Sequence, residues 1–327
     1  MAKSQSKYLQ SSTPSEKVKG YNIANQYTSG KASGWAGEKL AKEQFNLITG
    51  QPNSGLITFP NLPIQADGDM ALYQMCRKML GEDTKNYPQE IGDCVSFGSK
   101  NACEYLTCVQ NILKVSPDQF RSVFPPYMYG TSRAFIGGGS ISGDGSLGSW
   151  VAAAVKKYGV LASDEPNVPK YKGAVAKSWG NRNGPPKEFV ELAKVHLVKS
   201  AAQINNWEEL TKAITNGYPV IVCSGQGFNM EPSSDGFHKA AGSWAHCMLI
   251  IAVKNTHKTP HGLILNSWGD VHGRLKDFDT DEDLPVGVIR ARAEVIDRML
   301  KQQDSFAFSQ LDWFQEQKLP RDLFKLL

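Results

Sequence analysis

No run of about 18 apolar residues occurs in the 327-residue chain, so no stretch reads as a transmembrane helix. The N-terminus, MAKSQSKYLQSSTPSEK, lacks the apolar centre of a secretory signal, and the expectation is a soluble protein made without Sec-type export. Cysteine is sparse. Its six residues, at 76, 94, 103, 108, 223 and 247, include no CxxC pair and no even framework of the secreted kind, which points to a reducing, cytoplasmic compartment. Strong charge is missing too: the net charge of +4 is too mild to argue for nucleic acid, and no membrane partner is expected. Nucleotide motifs are absent, because the glycine-rich stretch at 137–145 contains no GxxxxGK[ST] and follows no strand with GxGxxG. The run DFDTDED, from Asp277 to Asp283, has Glu282 and Val288 where an EF-hand loop would need Gly and Glu. It reads as a solvated acidic loop, and no metal or cofactor is expected.

The chemistry that is present begins at Tyr87 to Val109, YPQEIGDCVSFGSKNACEYLTCV. Gly92 and Asp93 read as a flexible polar approach, after which Ala102, Leu106, Val109 and Leu113 recur at helical spacing, so Cys94 stands at a helix start. The unpaired N–H groups and positive dipole end there favour a thiolate, the nucleophilic form. The alternative is a small, inert, buried side chain.

Two later stretches decide between these. GSWAHCMLIIAV places His246 at the head of a strand from Cys247 to Val253, and HGLILNSWGD is a shorter strand ending at Asn266. KNTHKTPH between them reads as a turn. An antiparallel hairpin folded about residue 256 sets His246 across from Asn266, with Cβ atoms roughly 4.5–5.5 Å apart. The Asn266 oxygen then accepts one imidazole proton and leaves the other ring nitrogen for Cys94.

The segments QEIGDCVSF, SWAHCMLI and LILNSWGD resemble, in order, the three signature segments of papain-like cysteine peptidases. The resemblance spans roughly residues 61–300. It implies an α+β, papain-like fold with a helical half, a β-barrel-like antiparallel half and the active-site cleft between them. It further implies Cys94 as nucleophile, His246 as general base and acid, Asn266 as the residue orienting the imidazole, and Gln89 as side-chain donor to the oxyanion. Trp268 matches the indole that shields the His–Asn bond. Gly143 and Gly145 match a glycine-containing loop that lines the substrate cleft. The chain departs from the family in three places: the glutamine is five residues before the cysteine, with Pro88 in the sixth position, and Ile91 and Val95 replace the usual Cys and Trp.

Four segments follow. Residues 1–60 form a basic arm, whose first 50 residues hold seven lysines and three glutamates and so carry the whole net charge. Its first 35 residues have a composition that struggles to bury enough apolar area to order itself, and the arm reads as a docking tail in preference to an inhibitory propeptide. Residues 61–187 carry the nucleophile, 188–302 carry His246 and Asn266, and 303–327 form an amphipathic extension whose Phe306, Leu311, Trp313, Phe314, Leu323 and Phe324 need cover. Ser146 is the expected N-cap of a helix closed by Gly159. His238, His257, His261 and His272 read as solvated loop residues. The expected function is cofactor-free hydrolysis of a polypeptide substrate through a thioester. The alternatives are an amidase or cell-wall peptidase with the same triad, and a component of a larger assembly such as a virus particle, docked through the arm or tail.

Overall fold

The computed structural model describes residues 13–50, 56–113 and 120–311. Tyr8, Lys3 and Lys7 of the arm and Trp313, Phe314, Leu323 and Phe324 of the tail lie outside these residues. In chain order the described elements open with α1 (Pro14–Thr28), α2 (Glu38–Thr49), β1 (Leu56–Thr58), β2 (Asp69–Ala71) and α3 (Leu72–Leu80). Then come α4 (Cys94–Leu113), α5 (Pro125–Gly130), α6 (Gly148–Lys157), α7 (Gly173–Trp179), α8 (Lys187–Ala193), β3 (Val198–Gln203) and α9 (Trp207–Thr215). Strands β4 (Val220–Phe228), β5 (Ala240–Lys254), β6 (His261–Leu265) and β7 (Val288–Arg292), helix α10 (Ala293–Leu300) and strand β8 (Phe306–Leu311) complete the fold.

The strands form one sheet in the order β1-β3-β8-β4-β5-β6-β7, with β2 added to the far end of β5. All its pairings are antiparallel except β1 with β3. This is the expected α+β architecture, and it draws on every part of the chain. β1 and β2 come from ahead of the nucleophile helix, and β8 comes from the C-terminal extension. Phe306 and Leu311 are therefore covered by the body of the protein itself, pairing with β3 and β4.

Helix α4 runs through the middle of the molecule. Its predicted stripe of Ala102, Leu106 and Val109 is buried, and so is its opposite face. Lys100 and Glu104, one helical turn apart, satisfy each other there at 2.7 Å. Glu104 Oε1 also accepts from Ser122 and the Val123 N–H, and Lys100 donates to the Lys85 carbonyl and to Asn101, which leaves Glu104 Oε2 with the ion pair alone. A helix packed on all sides cannot shift, and the residue at its first position is held accordingly.

The N-terminal arm is folded over its described residues. Thr13 and Glu16 close a reciprocal capping box, Pro14 opens α1, and Gly20, Ile23, Ala24 and Tyr27 form a buried stripe at helical spacing. The arm's polar composition is overruled because the body supplies the apolar partner: Gly20 meets the Trp268 carbonyl and Val271. Ion pairs Lys17–Asp270 and Lys19–Glu90 edge this contact, but both lysines are about half exposed and add little.

Other expectations are corrected by partners distant in sequence. The N–H groups opening α6 bind the carboxylate of Asp304, at 2.7 Å from Gly148 and 2.8 Å from Ser149, and Ser146 is no cap. Of the supposedly solvated acidic run, Asp277 is buried, accepting from Tyr73 and from the N–H groups of Asp279 and Thr280. His238, His261 and His272 are also buried, and the His257 ring stacks on Phe278. His261 opens β6 and is paired on both sides, and backbone groups satisfy ring nitrogens of His238, His257 and His261.

Candidate active site

Cys94 is the first residue of α4, and the preceding Asp93 carbonyl accepts the first helical bonds from Ser96 and Phe97. Gly92 and Asp93 are fixed and buried. Tyr171 donates to the Asp93 carboxyl at 3.1 Å. Strand β5 delivers His246 and, directly after it, Cys247, whose backbone N–H points at the Cys94 sulfur from 3.3 Å. That contact brings the helix start and the strand together.

His246 Nε2 lies 2.8 Å from Asn266 Oδ1, the bond expected from the hairpin. The register that produces it is different. Leu249 faces Leu265 and Ile250 faces Ile264, with an irregularity before Ala252, so continuing the ladder sets Asn266 across from Met248. His246 faces Ser224 of β4. Asn266 lies one residue beyond β6 and reaches His246 diagonally. With its proton held on Nε2, the imidazole keeps Nδ1 as its basic nitrogen, buried and without a hydrogen-bond partner. Trp268 packs on the same ring at 4.7 Å between centroids and is itself fully buried, so its role here is cover for the His–Asn pair.

Gln89 is tied by both ends of its amide. Oε1 accepts from Ser267 at 2.5 Å, and Nε2 donates to the Ile91 carbonyl at 2.7 Å and to the Tyr27 hydroxyl at 3.3 Å. The Tyr27 hydroxyl lies beside the Cys94 sulfur, the two standing 2.2 and 2.3 Å from where a Gly34 Cβ would be. A phenolic oxygen therefore occupies the space between the nucleophile and the Gln89 amide.

Tyr27, near the end of α1, leads into a segment whose place over the site the sequence did not announce. Beyond α1 the chain crosses the site as an extended strap. The Gly34 and Trp35 N–H groups donate to the Ala245 carbonyl at 2.9 and 3.0 Å on one side. On the other, Ser146 donates to the Gly34 carbonyl and Ala36 to the Ser146 carbonyl, both at 3.0 Å. The strap lies almost on the sulfur: a Cβ at Gly34 would stand 2.3 Å from Cys94 Sγ and 2.2 Å from the Tyr27 hydroxyl. One at Gly92 would stand 2.4 Å from the Ser33 carbonyl, so glycine on both sides permits the approach. Trp35 is buried beside the strap, its indole N–H donating to Asp304 at 2.7 Å. Of the two loop glycines, Gly145 faces the strap at Ser33 and Gly34. Gly143 is exposed and away from it, its carbonyl held by Arg133. The sequence signals for the strap are weak: the helical spacing of Gly20, Ile23, Ala24 and Tyr27, and Trp35 among scattered aromatics of a largely polar arm.

Covered in this way, the nucleophile is 0% and His246 1% exposed. Burial pushes the Cys94 thiol up, and the nearby Cys247 adds to this, overruling the helix start that favours a thiolate. Burial also pushes His246 down from 6.5 to about 4. The covered site thus holds a thiol and a neutral ring. Closure excludes a proton that an open imidazole would bind, so the open state binds more protons between about pH 6.5 and 4 and closure weakens as pH falls through that window. Asp304, pushed up to about 6 by burial, accepts from the Trp35 indole of the strap as well as from the Gly148 and Ser149 N–H groups, so its titration is also linked to closure. Hydrogen exchange at the Gly34 and Trp35 amides, corrected for its intrinsic pH dependence, is expected to speed up by as much as about tenfold per unit over that range. The measurement is repeated in Asp304→Asn to separate that carboxyl from His246. A flat corrected rate would place the control of closure elsewhere.

No family model and no curated protein sequence matches the chain. Solved structures do. Xylellain, a cysteine protease from Xylella fastidiosa, is 15% identical with a TM-score of 0.51, over 85% of this chain and 91% of that one. The digestive procathepsin L 3 of the Tenebrio molitor larval midgut is 13% identical with a TM-score of 0.50, over 92% of this chain and 94% of that one. The fold is that of papain-like cysteine proteases.

Proposed function

We propose that the chain is a cysteine peptidase in a latent form, hydrolysing polypeptide once the strap at 29–37 leaves the cleft. The observation that carries this reading is the strap itself: an extended main chain, hydrogen bonded on both sides, laid against Cys94. A cleft that pairs with backbone N–H and C=O groups on both walls recognises polypeptide as such. This favours a peptide over the other amides that the same triad could attack.

In the proposed reaction His246 Nδ1 takes the Cys94 proton and the thiolate attacks the scissile carbonyl. The oxyanion develops where the Tyr27 hydroxyl now sits, and there it accepts from Gln89 Nε2 and the Cys94 N–H. His246 returns the proton to the leaving amine, giving a thioester and a free amino terminus. Water then attacks the thioester, again deprotonated by His246, and releases the acid and the thiol. Asn266 holds the ring through Nε2 throughout.

Gln89→Ala in a strap-released chain is expected to lower kcat by about 100- to 1,000-fold with little change in KM, the usual effect of losing one oxyanion donor. Steady-state hydrolysis of a fluorogenic peptide measures it. An unchanged kcat would remove Gln89 from the reaction, and a strap-released chain inert towards every peptide would remove the peptidase reading.

A further inference from the structure

The Asn266 carboxamide is nearly symmetric in shape, and which end faces His246 is decided only by its partners. On the oxygen side are His246 Nε2 at 2.8 Å and the Ser267 N–H at 2.7 Å. On the nitrogen side, Asn266 Nδ2 lies 2.6 Å from Nε2 of His272, a residue buried to 0% exposure. We propose that His272 is a positioning residue for the proposed reaction: by accepting from Asn266 Nδ2 it acts with the Ser267 N–H on the oxygen to lock the carboxamide with oxygen towards His246, and so helps to fix the catalytic tautomer.

Rotated by half a turn, the amide would present N–H to His246 Nε2. The ring could answer only by moving its proton to Nδ1, and the basic nitrogen would then be on the wrong side of the ring for Cys94. An acceptor at His272 Nε2 opposes that rotation and needs the proton of His272 on Nδ1, a nitrogen that is buried and makes no hydrogen bond of its own, so Nε2 is the one ring atom through which His272 acts. The surroundings keep His272 neutral. Burial and the neighbouring His238 and His246 push it down to about 3. His238 contributes no donor to compete with Asn266, because its Nδ1 accepts from the Arg290 N–H and its Nε2 proton goes to the His272 carbonyl. Trp268 stacks on His272 at 28° and on His246 at 31°, so one indole spaces the two imidazoles on either side of the amide.

The test uses the full-length chain with ¹⁵N-labelled histidine, and rests on the peptidase reading only in its kinetic arm. In the unmutated chain, His246 is expected as the Nε2–H tautomer and His272 as the Nδ1–H tautomer. His272→Phe, which keeps a ring without an acceptor, is expected to shift His246 towards Nδ1–H, while His272→Gln, which keeps an acceptor, restores the parent spectrum. Combined with Trp35→Ala to open the site, His272→Phe should lower kcat by about 10- to 100-fold at unchanged KM, within the roughly 10⁴-fold cost of a wholly wrong tautomer. His272→Gln should stay within about threefold of the Trp35→Ala chain, the difference an acceptor makes. An Nε2–H proton on His272 in the parent overturns the proposal even if no variant folds. Equal kcat losses in the two variants with His246 unmoved overturn it in favour of simple packing. A chain with the expected tautomers and no hydrolysis would retain the positioning role and reject the peptidase.

Discussion

Trp35→Ala in the full-length chain is expected to raise the rate at which iodoacetamide labels Cys94 by about 100- to 4,000-fold. Truncating a buried tryptophan costs about 3–5 kcal/mol, and each 1.4 kcal/mol is about tenfold in an equilibrium. Here the whole cost falls on the closed arrangement, because in the open one the indole is not packed against the body. Trp35 is 3% exposed when closed, and removing its indole also takes a donor from a buried carboxylate, Asp304. The body of the protein keeps its own core in either state, so thermal unfolding of the body should move little while labelling moves a great deal. All six cysteines are buried, which lets peptide mapping separate a local opening at Cys94 from general loosening that would label Cys76, Cys103 and Cys108 as well. Labelling of all six together, or of none, would show that the strap does not gate the site.

The bond between His246 and Asn266 and the place of Cys94 at a helix start were legible in the sequence and their cover was not, for a physical reason that particular residues make plain. Cys94, His246 and Asn266 each sit at the end of a regular element, and the signals that end an element are local: an approach through Gly92 and Asp93, an apolar β-branched run, a turn of Asn, Thr, Lys and Pro. Their meeting needed only that the elements pack. The predicted register of the hairpin was off by two positions at Asn266 because the hairpin turns between residues 257 and 258 and not at 256, an offset that the irregularity between Ile250 and Ala252 partly takes back, yet a diagonal contact closes the same bond. Tyr27, Gly34 and Trp35 depend instead on surfaces about 60 residues or more away in sequence, and although Tyr27 ends a helical stripe, nothing local says which surface that stripe or the strap beyond it will cover. The same holds for Asp304 capping α6 from 156 residues downstream of Gly148. The arm and tail that suggested a docked assembly component are, over the described residues, folded onto their own body through α1, α2 and β8.

His246→Ala, placed in the Trp35→Ala background, is expected to lower kcat/KM on a peptide by about 10⁴- to 10⁶-fold, and Cys94→Ala to do the same, as in other nucleophile–base pairs. The two losses should not add. The imidazole acts only by moving the sulfur's proton, and the sulfur is a useful nucleophile only when that proton has gone, so once either is removed the other has nothing left to contribute. The double variant is therefore expected to lie within about threefold of each single one, where independent sites would multiply their effects. Burial sharpens the argument. The closed site pushes the thiol up and the ring down, so the charged pair must form after opening, when water returns and the two groups can stabilise each other's charge. A thiol-labelling pH profile of the strap-released chain should then show a reactive plateau well below the ordinary thiol range, and His246→Ala should move that profile up to the range of a free cysteine. Multiplicative losses in the double variant, or a profile indifferent to His246, would mean that the two residues, though adjacent, do not share a proton.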